Sequence, residues 1–197
     1  MKSFWDERYA GDEFAYGTNP NKFFNDQLNT LNPGTILLPA EGEGRNAVSA
    51  ALSGWQVTAF DQSDVARHKA EKLAMKYNVQ VNYYVSDQEH FDFEENYFDC
   101  VAFIFVHMPG NIRNDFHQRM LRFVKPGGFI ILEGFEKSQI ENATGGPKKI
   151  DMLFSKEELF NDFKTLKNIT ISEEEVVLDE GKFHKGIANV IRLTGTK

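Results

Sequence analysis

Apolar and polar positions along the chain change period repeatedly, and each change marks an element. "TILLPA" (35–40) is a short unbroken apolar run and predicts a buried strand. "RNAVSAALSG" (45–54) predicts a helix stopped by Gly54, and "WQVTAFD" (55–61) a second strand. "SDVARHKAEKLAMKY" (63–77) predicts a helix with Ser63 as N-cap, because Ala66, Ala70, Leu73, Ala74 and Tyr77 keep helical spacing. "VQVNYYVSD" (79–87) reads as a third strand. "YFDCVAFIFV" (97–106) reads as a fourth, apolar enough to be covered on both faces. A helix follows with Ile112, Phe116, Met120 and Val124 on one face, stopped by the turn Pro126-Gly127-Gly128. "FIILEGF" (129–135) is the fifth strand.

Strands alternating with helices imply a parallel sheet with right-handed crossovers. The ending breaks that rhythm. "SKEELFNDF" (155–163) is a helix with a capping box, Ser155–Glu158. Two long β-rich runs then meet near "DEGKFH", with no room between them for a crossover helix, so they pair antiparallel. The predicted class is α/β: a doubly wound, mostly parallel sheet ending in an antiparallel hairpin. The first 34 residues precede the sheet as one or two short helices plus the turn "YGTNPN" (16–21), with Pro20 placed to start a helix.

At 197 residues the chain is long enough for one good core. Its 41% apolar and 26% charged residues are ordinary for a soluble globular protein. A net charge of −7 argues against a general nucleic-acid or anionic-membrane binder. The single cysteine, Cys100, excludes an intramolecular disulfide and fits a cytoplasmic protein. "MKSFWDERYAGDEF" lacks the apolar core of a signal peptide, and no apolar run is long enough to span a bilayer. Eighteen phenylalanines point to a core rich in large apolar area. The five histidines are scattered, without a metal-ligand spacing, so no metal is expected.

The stretch "LLPAEGEGRNAV" (37–48) satisfies G-x-G-x-x-[GA] at Gly42, Gly44 and Ala47, directly after the first strand. In open α/β sheets a ligand lies beyond the carboxyl ends of the strands, so this loop is the candidate site. Glycines there let backbone turn sharply and approach a ligand closely. Asp61 ends the second strand, placed to accept both hydroxyls of a ribose. Three features separate the possible adenosine ligands. Glu41 and Glu43 inside the glycine turn would repel a pyrophosphate but favour a ligand carrying a sulfonium and an ammonium. Only about sixty residues follow the fifth strand, little for a nicotinamide enzyme's catalytic region. The terminal hairpin replaces the sixth parallel strand of a dinucleotide fold. Arg45 could meet a ligand carboxylate or sit at the surface.

On the residues "FWDERYAGDEFAYGTNPNKFF", "LLPAEGEGRNAV", "VTAFDQS", "VSDQEHFDF", "VHMP", "LRFVKPGGFIILEGF" and "GGPKKIDML", the chain resembles the class I S-adenosylmethionine-dependent methyltransferases. It is most similar to their tellurite-resistance and thiopurine-methyltransferase-like branch. The resemblance covers nearly the whole chain. It implies a seven-stranded Rossmann-like methyltransferase fold over 1–197, with 1–34 covering the cofactor site. The implied cofactor is S-adenosylmethionine, with S-adenosylhomocysteine as product. Its implied contacts are Glu41, Gly42, Gly44, Arg45 and Asn46 in the loop, Asp61 for the ribose, Gln62 and Ser63 on the adenine side, and Asp87 with Gln88 after the third strand. Two positions depart from the family: Leu38 stands where many members have Asp, and Ala40 where many have the first Gly.

Methyl transfer from a sulfonium is an in-line displacement in which positioning dominates. His107, after the fourth strand, is either a base or a histidine bonded to backbone at the sheet rim. Met108 and Pro109 beside it suit a pocket wall. The long polar stretch 133–153, with Gly145-Gly146-Pro147, suits a lid, where Lys148 and Lys149 could meet an anionic acceptor or simply be solvated. Trp5 and Tyr9 share one helix face, and Tyr16 follows; packing and site covering are both open to them. His184, at the hairpin turn, could reach the site, but exposure is the expectation. The expected activity is methylation of a small molecule, at a soft S, Se or Te atom by family resemblance, with no nucleic-acid or membrane partner. The rivals are a nicotinamide-type oxidoreductase and a binding module without turnover.

Overall fold

A computed structural model describes residues 2–197, so residue 1 of the predicted N-terminal segment lies outside the described residues. Helices α1 (Lys2–Tyr9) and α2 (Lys22–Leu28) precede β1 (Thr35–Pro39), α3 (Arg45–Leu52), β2 (Gln56–Asp61), α4 (Asp64–Tyr77) and β3 (Val81–Val85). Then come β4 (Phe98–Ile104), α5 (Gly110–Phe123), β5 (Val124–Phe135), α6 (Lys156–Phe163), β6 (Lys167–Asp179) and β7 (Lys185–Thr196). The seven strands form one mixed, mostly parallel sheet in the order β3-β2-β1-β4-β5-β7-β6. This is the predicted Rossmann-like methyltransferase architecture. Among the described residues no helix is long and apolar enough to cross a membrane, and no group of three His, Cys, Asp or Glu could hold a metal ion.

The chain divides into two compact units. The first runs to Asp92 and takes in Glu180–Phe183. In it β1, β2 and β3 pair parallel, and Ile36, Leu37 and Leu38 of β1 are fully buried, as an unbroken apolar run requires. Ser63 caps α4, its Oγ accepting the Ala66 N–H at 3.1 Å. Asn78 ends that helix in the left-handed conformation, and Tyr77, expected on the buried stripe, is 43% exposed. Asn21, not Pro20, starts α2: its side chain accepts the Phe24 N–H at 2.9 Å, and Pro20 lies before the cap. Trp5 and Tyr9 share a face of α1, their rings stacked at 5.5 Å, and pack with Ala15, Tyr16, Ala66 and Phe183.

The second unit holds Phe93–Asp179 and His184–Lys197. β4 pairs parallel with β5, and β7 runs antiparallel between β5 and β6. The capping box of α6 is present, with Ser155 and Glu158 each accepting the other's N–H. Pro126-Gly127-Gly128 departs from expectation. It is a bulge inside β5 instead of a turn ahead of it: the register jumps from Phe98↔Val124 to Cys100↔Phe129, and Gly127 takes φ 80°. Eight phenylalanines, among them Phe98, Phe103, Phe123, Phe135, Phe154 and Phe163 here, are fully buried. At about 1.5–3 kcal/mol each they dominate the core.

Candidate functional site

The glycine loop leaves β1 through three left-handed residues, Ala40 (φ 48°), Gly42 (φ 63°) and Gly44 (φ 87°). A glycine is common at the first of these in the resembling family for a physical reason: a Cβ in this region costs about 1–2 kcal/mol, and Ala40 bears that cost here. Within the protein itself the two glycines each permit a close approach. A Cβ on Gly42 would lie 2.7 Å from the Tyr9 hydroxyl, and one on Gly44 2.6 Å from the Cβ of Ala70. The loop is thin because α1 and α4 lie against it. Its middle peptide is held on both sides. The Gly42 N–H donates to Asp61 Oδ2 at 3.1 Å, and the Tyr83 hydroxyl donates to the Gly42 carbonyl at 2.5 Å.

The two glutamates have different fates. Glu41 turns back on α3: its carboxylate accepts the N–H of Asn46 at 2.9 Å and of Ala47 at 2.8 Å, with the Asn46 amide at 3.4 Å. A helix N-terminus is where an anionic ligand group would bind, and here a side chain of the loop already sits there. Burial pushes the Glu41 carboxyl up to about 7, against these bonds and the attraction of Arg45. Glu43 is buried and paired. Lys69 Nζ donates to it at 2.7 Å and the Ala15 N–H at 2.7 Å, while the same Nζ holds the carbonyls of Gly11 and Glu13. Arg45 is not at the surface: it is 7% exposed and pairs with Glu180 at 2.8 Å.

Asp61 is buried at the end of β2. Its Oδ1 accepts the Ser63 N–H at 2.9 Å, and the Gln62 N–H bonds it as well. Burial still lifts it to about 6. Ser63 itself donates to Asp6 at 2.6 Å. Asn46 is buried and accepts the Asn21 N–H at 2.9 Å, which ties the start of α2 to the loop. Asp87 closes a local turn, accepting the N–H of Glu89 and His90 and the His90 ring nitrogen at 2.7 Å. Burial raises its carboxyl, but those bonds outweigh it and hold the group low. Gln88 beside it is half-buried. Tyr16 accepts from Arg8 at 3.2 Å, and that guanidinium lies 3.9 Å from the Phe183 ring.

In the second unit His107 has both ring nitrogens engaged. Nδ1 meets the Met152 carbonyl at 2.7 Å, and Nε2 accepts the Phe135 N–H at 3.1 Å. Its ring stacks on Phe154 at 4.8 Å, and burial lowers it to about 4. Such an imidazole is neutral, with no free nitrogen for a substrate proton. Met108 is buried, and Pro109 precedes α5 as its N-cap. Gly146 (φ 86°) lies on the Phe135 ring, which a Cβ would meet at 2.8 Å. Lys148 donates to the Asn142 carbonyl within its own loop, and Lys149 is exposed. His184 corrects its expectation: it is 6% exposed, edge-on to Phe105 at 4.5 Å and Phe135 at 5.2 Å.

Sequence reasoning missed Tyr83, Lys69, Glu180 and the buried trio Arg113, His117 and Asp162. In that trio Asp162 Oδ2 accepts Arg113 Nε at 2.8 Å and faces His117 Nδ1 at 2.9 Å. A charged residue recurring on the apolar stripe of α5 was the available signal. Cys100 is buried, and its thiol is pushed well up.

Residues 36–128 match the family model described as a methyltransferase domain. No curated protein matches the chain by sequence. Solved structures match it in fold. One comes from work on the conversion of a disulfide bond into a thioacetal group during echinomycin biosynthesis: 17% identical, TM-score 0.81, covering all of this chain and 91% of that one. TehB from Haemophilus influenzae is 15% identical, TM-score 0.73, covering all of this chain and 66% of that one. The 1,6-didemethyltoxoflavin-N1-methyltransferase of Burkholderia thailandensis, solved with 1,6-didemethyltoxoflavin and S-adenosylhomocysteine, is 18% identical, TM-score 0.68, covering all of this chain and 86% of that one. At these identities the likeness is one of fold.

Proposed function

We propose that this chain is an S-adenosylmethionine-dependent methyltransferase of a small molecule, acting as one domain over 1–197 in the cytoplasm. The observation that carries the reading is the Glu41 carboxylate on the N-terminus of α3. It fills the anion position that a pyrophosphate needs, and with Asp61 it leaves the loop acidic. That donor set fits a cationic ribose-bearing ligand and weighs against the nicotinamide alternative.

S-adenosylmethionine, when bound, supplies a methyl group already activated on a sulfonium. The chain's own part is to hold and orient. Asp61, whose oxygens accept the N–H groups of Gly42, Gln62 and Ser63, keeps a lone pair for a ribose hydroxyl. Gln62, Ser63, Asp87 and Gln88 take the adenine side by resemblance, and Trp5, Tyr9 and Tyr16 cover the loop. Positioning of this kind contributes roughly 7–11 kcal/mol to such a displacement. His107, bonded to backbone groups at both ring nitrogens, acts as a strut, and no proton passes through it. A soft acceptor needs no base near neutral pH. A sulfur acceptor draws support from the similar structure solved in work on thioacetal formation, and selenium or tellurium rests on the family resemblance alone; the toxoflavin N1-methyltransferase makes nitrogen the acceptor to test beside them.

Calorimetry with S-adenosylmethionine, S-adenosylhomocysteine and NAD tests the reading. Both sulfur ligands are expected to bind and NAD to fail; the reverse overturns it. Asp61→Ala is expected to weaken both sulfur ligands by about 10–100-fold, the loss of hydrogen bonds to a charged acceptor. Turnover separates an enzyme from a binding module: S-adenosylhomocysteine should form with a member of a panel of thiols, selenite, tellurite and nitrogen heterocycles.

A further inference from the structure

The charges around the glycine loop do not balance. Two cations face it, Arg45 of α3 and Lys69 of α4, and each is held by its own carboxylate, Glu180 and Glu43, at 2.8 and 2.7 Å. Two carboxylates remain, Glu41 and Asp61, whose hydrogen bonds come from amides. The other titratable groups near them are no counter-charge. Asp6, bonded to Ser63, is a further acid. The phenols of Tyr9 on α1 and Tyr83 on β3 are held neutral, first by burial and then by these same acids. The loop therefore carries acid that the protein does not neutralise.

Asp61, as a ribose acceptor, serves any adenosine ligand equally. Glu41 sits inside the glycine turn itself. Resting on the reading above, we propose that Glu41 selects for charge: its carboxylate makes the loop prefer the sulfonium cofactor over the uncharged thioether that methyl transfer leaves behind. The two ligands differ by one methyl group and one positive charge, so contacts of shape cannot separate them strongly. A fixed carboxylate beside the site can, because it interacts with the charge and not with its absence. The same residue that favours binding of the donor thus favours release of the spent product.

A proton follows from the same geometry. In the free protein burial holds Glu41 up near 7, so below that pH it is largely neutral. Meeting a cation requires the ionised form. Donor binding must then release a proton, and must tighten as pH rises through 7.

The test is calorimetry of S-adenosylmethionine and S-adenosylhomocysteine against wild type, Glu41→Gln and Glu43→Gln, from pH 6 to 8. Buffers of differing ionisation heat count the protons. In wild type the donor's affinity relative to the product's is expected to rise about tenfold over that range, with close to one proton released below pH 7. Gln keeps the acceptor oxygen for the α3 amides and loses the charge, so Glu41→Gln should lower the preference and flatten its pH dependence. Glu43→Gln frees the Lys69 cation beside the loop, so it should lower the preference but keep its pH dependence, which belongs to Glu41. A preference independent of pH in wild type, or one that survives Glu41→Gln, overturns the assignment while leaving cofactor binding intact. The wild-type proton count decides the matter even if Glu41→Gln does not fold. Binding of neither ligand overturns the underlying reading and this inference together.

Discussion

The glycine loop and the segment after β4 both bury titratable groups, and they do so with opposite signs. In the loop, burial holds Glu41 near 7 and Asp61 near 6, so the folded chain grips protons that the unfolded chain gives up. After β4, burial drops His107 to about 4 and lowers His117 too, so the folded chain refuses protons that the unfolded chain takes. The sign of the linkage follows. The loop acids cost stability as pH rises from the ordinary carboxylate range through 6 to 7. The imidazoles cost stability as pH falls from 6.5 towards 4. The difference is one of completeness. His107 has a backbone partner on each nitrogen and needs nothing more. The loop acids have amide donors and no matching charge. A region left incomplete in this way suits the cationic ligand proposed above.

The largest break in that comparison comes from the loop's backbone. Gly44→Ala places a Cβ at φ 87° and 2.6 Å from Ala70, on a helix that cannot shift without disturbing Ser63 and Lys69. The cost is expected to be about 2–4 kcal/mol in urea unfolding, from left-handed strain plus overpacking. Cofactor binding should weaken with it. A stability within about 0.5 kcal/mol of wild type would show that the loop tolerates a shift this geometry forbids.

His107→Gln is next. It leaves the Phe135 N–H and the Met152 carbonyl short of a partner, at about 1–3 kcal/mol. It should also remove about one proton from the pH dependence of stability between 6.5 and 4. Wild-type turnover should show no inflection at an imidazole pKa. Unchanged stability with a collapsed rate and such an inflection would restore His107 as a base.

The two regions also differ in how far the sequence discloses them. Some loop contacts are short in the chain: Glu41 reaches 46 and 47, Asp61 reaches 63, and Ser63 reaches 66. Spacing makes the Ser63 cap readable, as it does the alternation of strands and helices and the closing hairpin, but not the turn of Glu41 onto α3. Lys69 on Glu43 and Arg45 on Glu180 span 26 and 135 positions, and no periodicity announces them. His107 illustrates the limit. Its partners are backbone groups 28 and 45 residues away, and every residue carries such groups. A histidine at a strand end therefore reads alike whether it is a base or a strut. Pro126-Gly127-Gly128 misleads for a related reason: the residues that make a turn also make a bulge, and only the register of β4 against β5 decides between them.

The smallest expected effect is the sharpest on mechanism. Tyr83→Phe removes the hydroxyl that donates to the Gly42 carbonyl at 2.5 Å and changes almost nothing else in volume. One neutral hydrogen bond to a buried carbonyl is worth about 0.5–1.5 kcal/mol. That phenol is protonated and carries no charge, so its loss should leave the proton count of cofactor binding as it was. Affinity for the donor and for the product should fall together, because the bond braces the loop and does not distinguish the two ligands. If the donor alone weakened, charge selection would belong to the whole hydrogen-bonded loop and not to Glu41. Equal weakening, with the pH dependence kept, separates the frame of the loop from its charge.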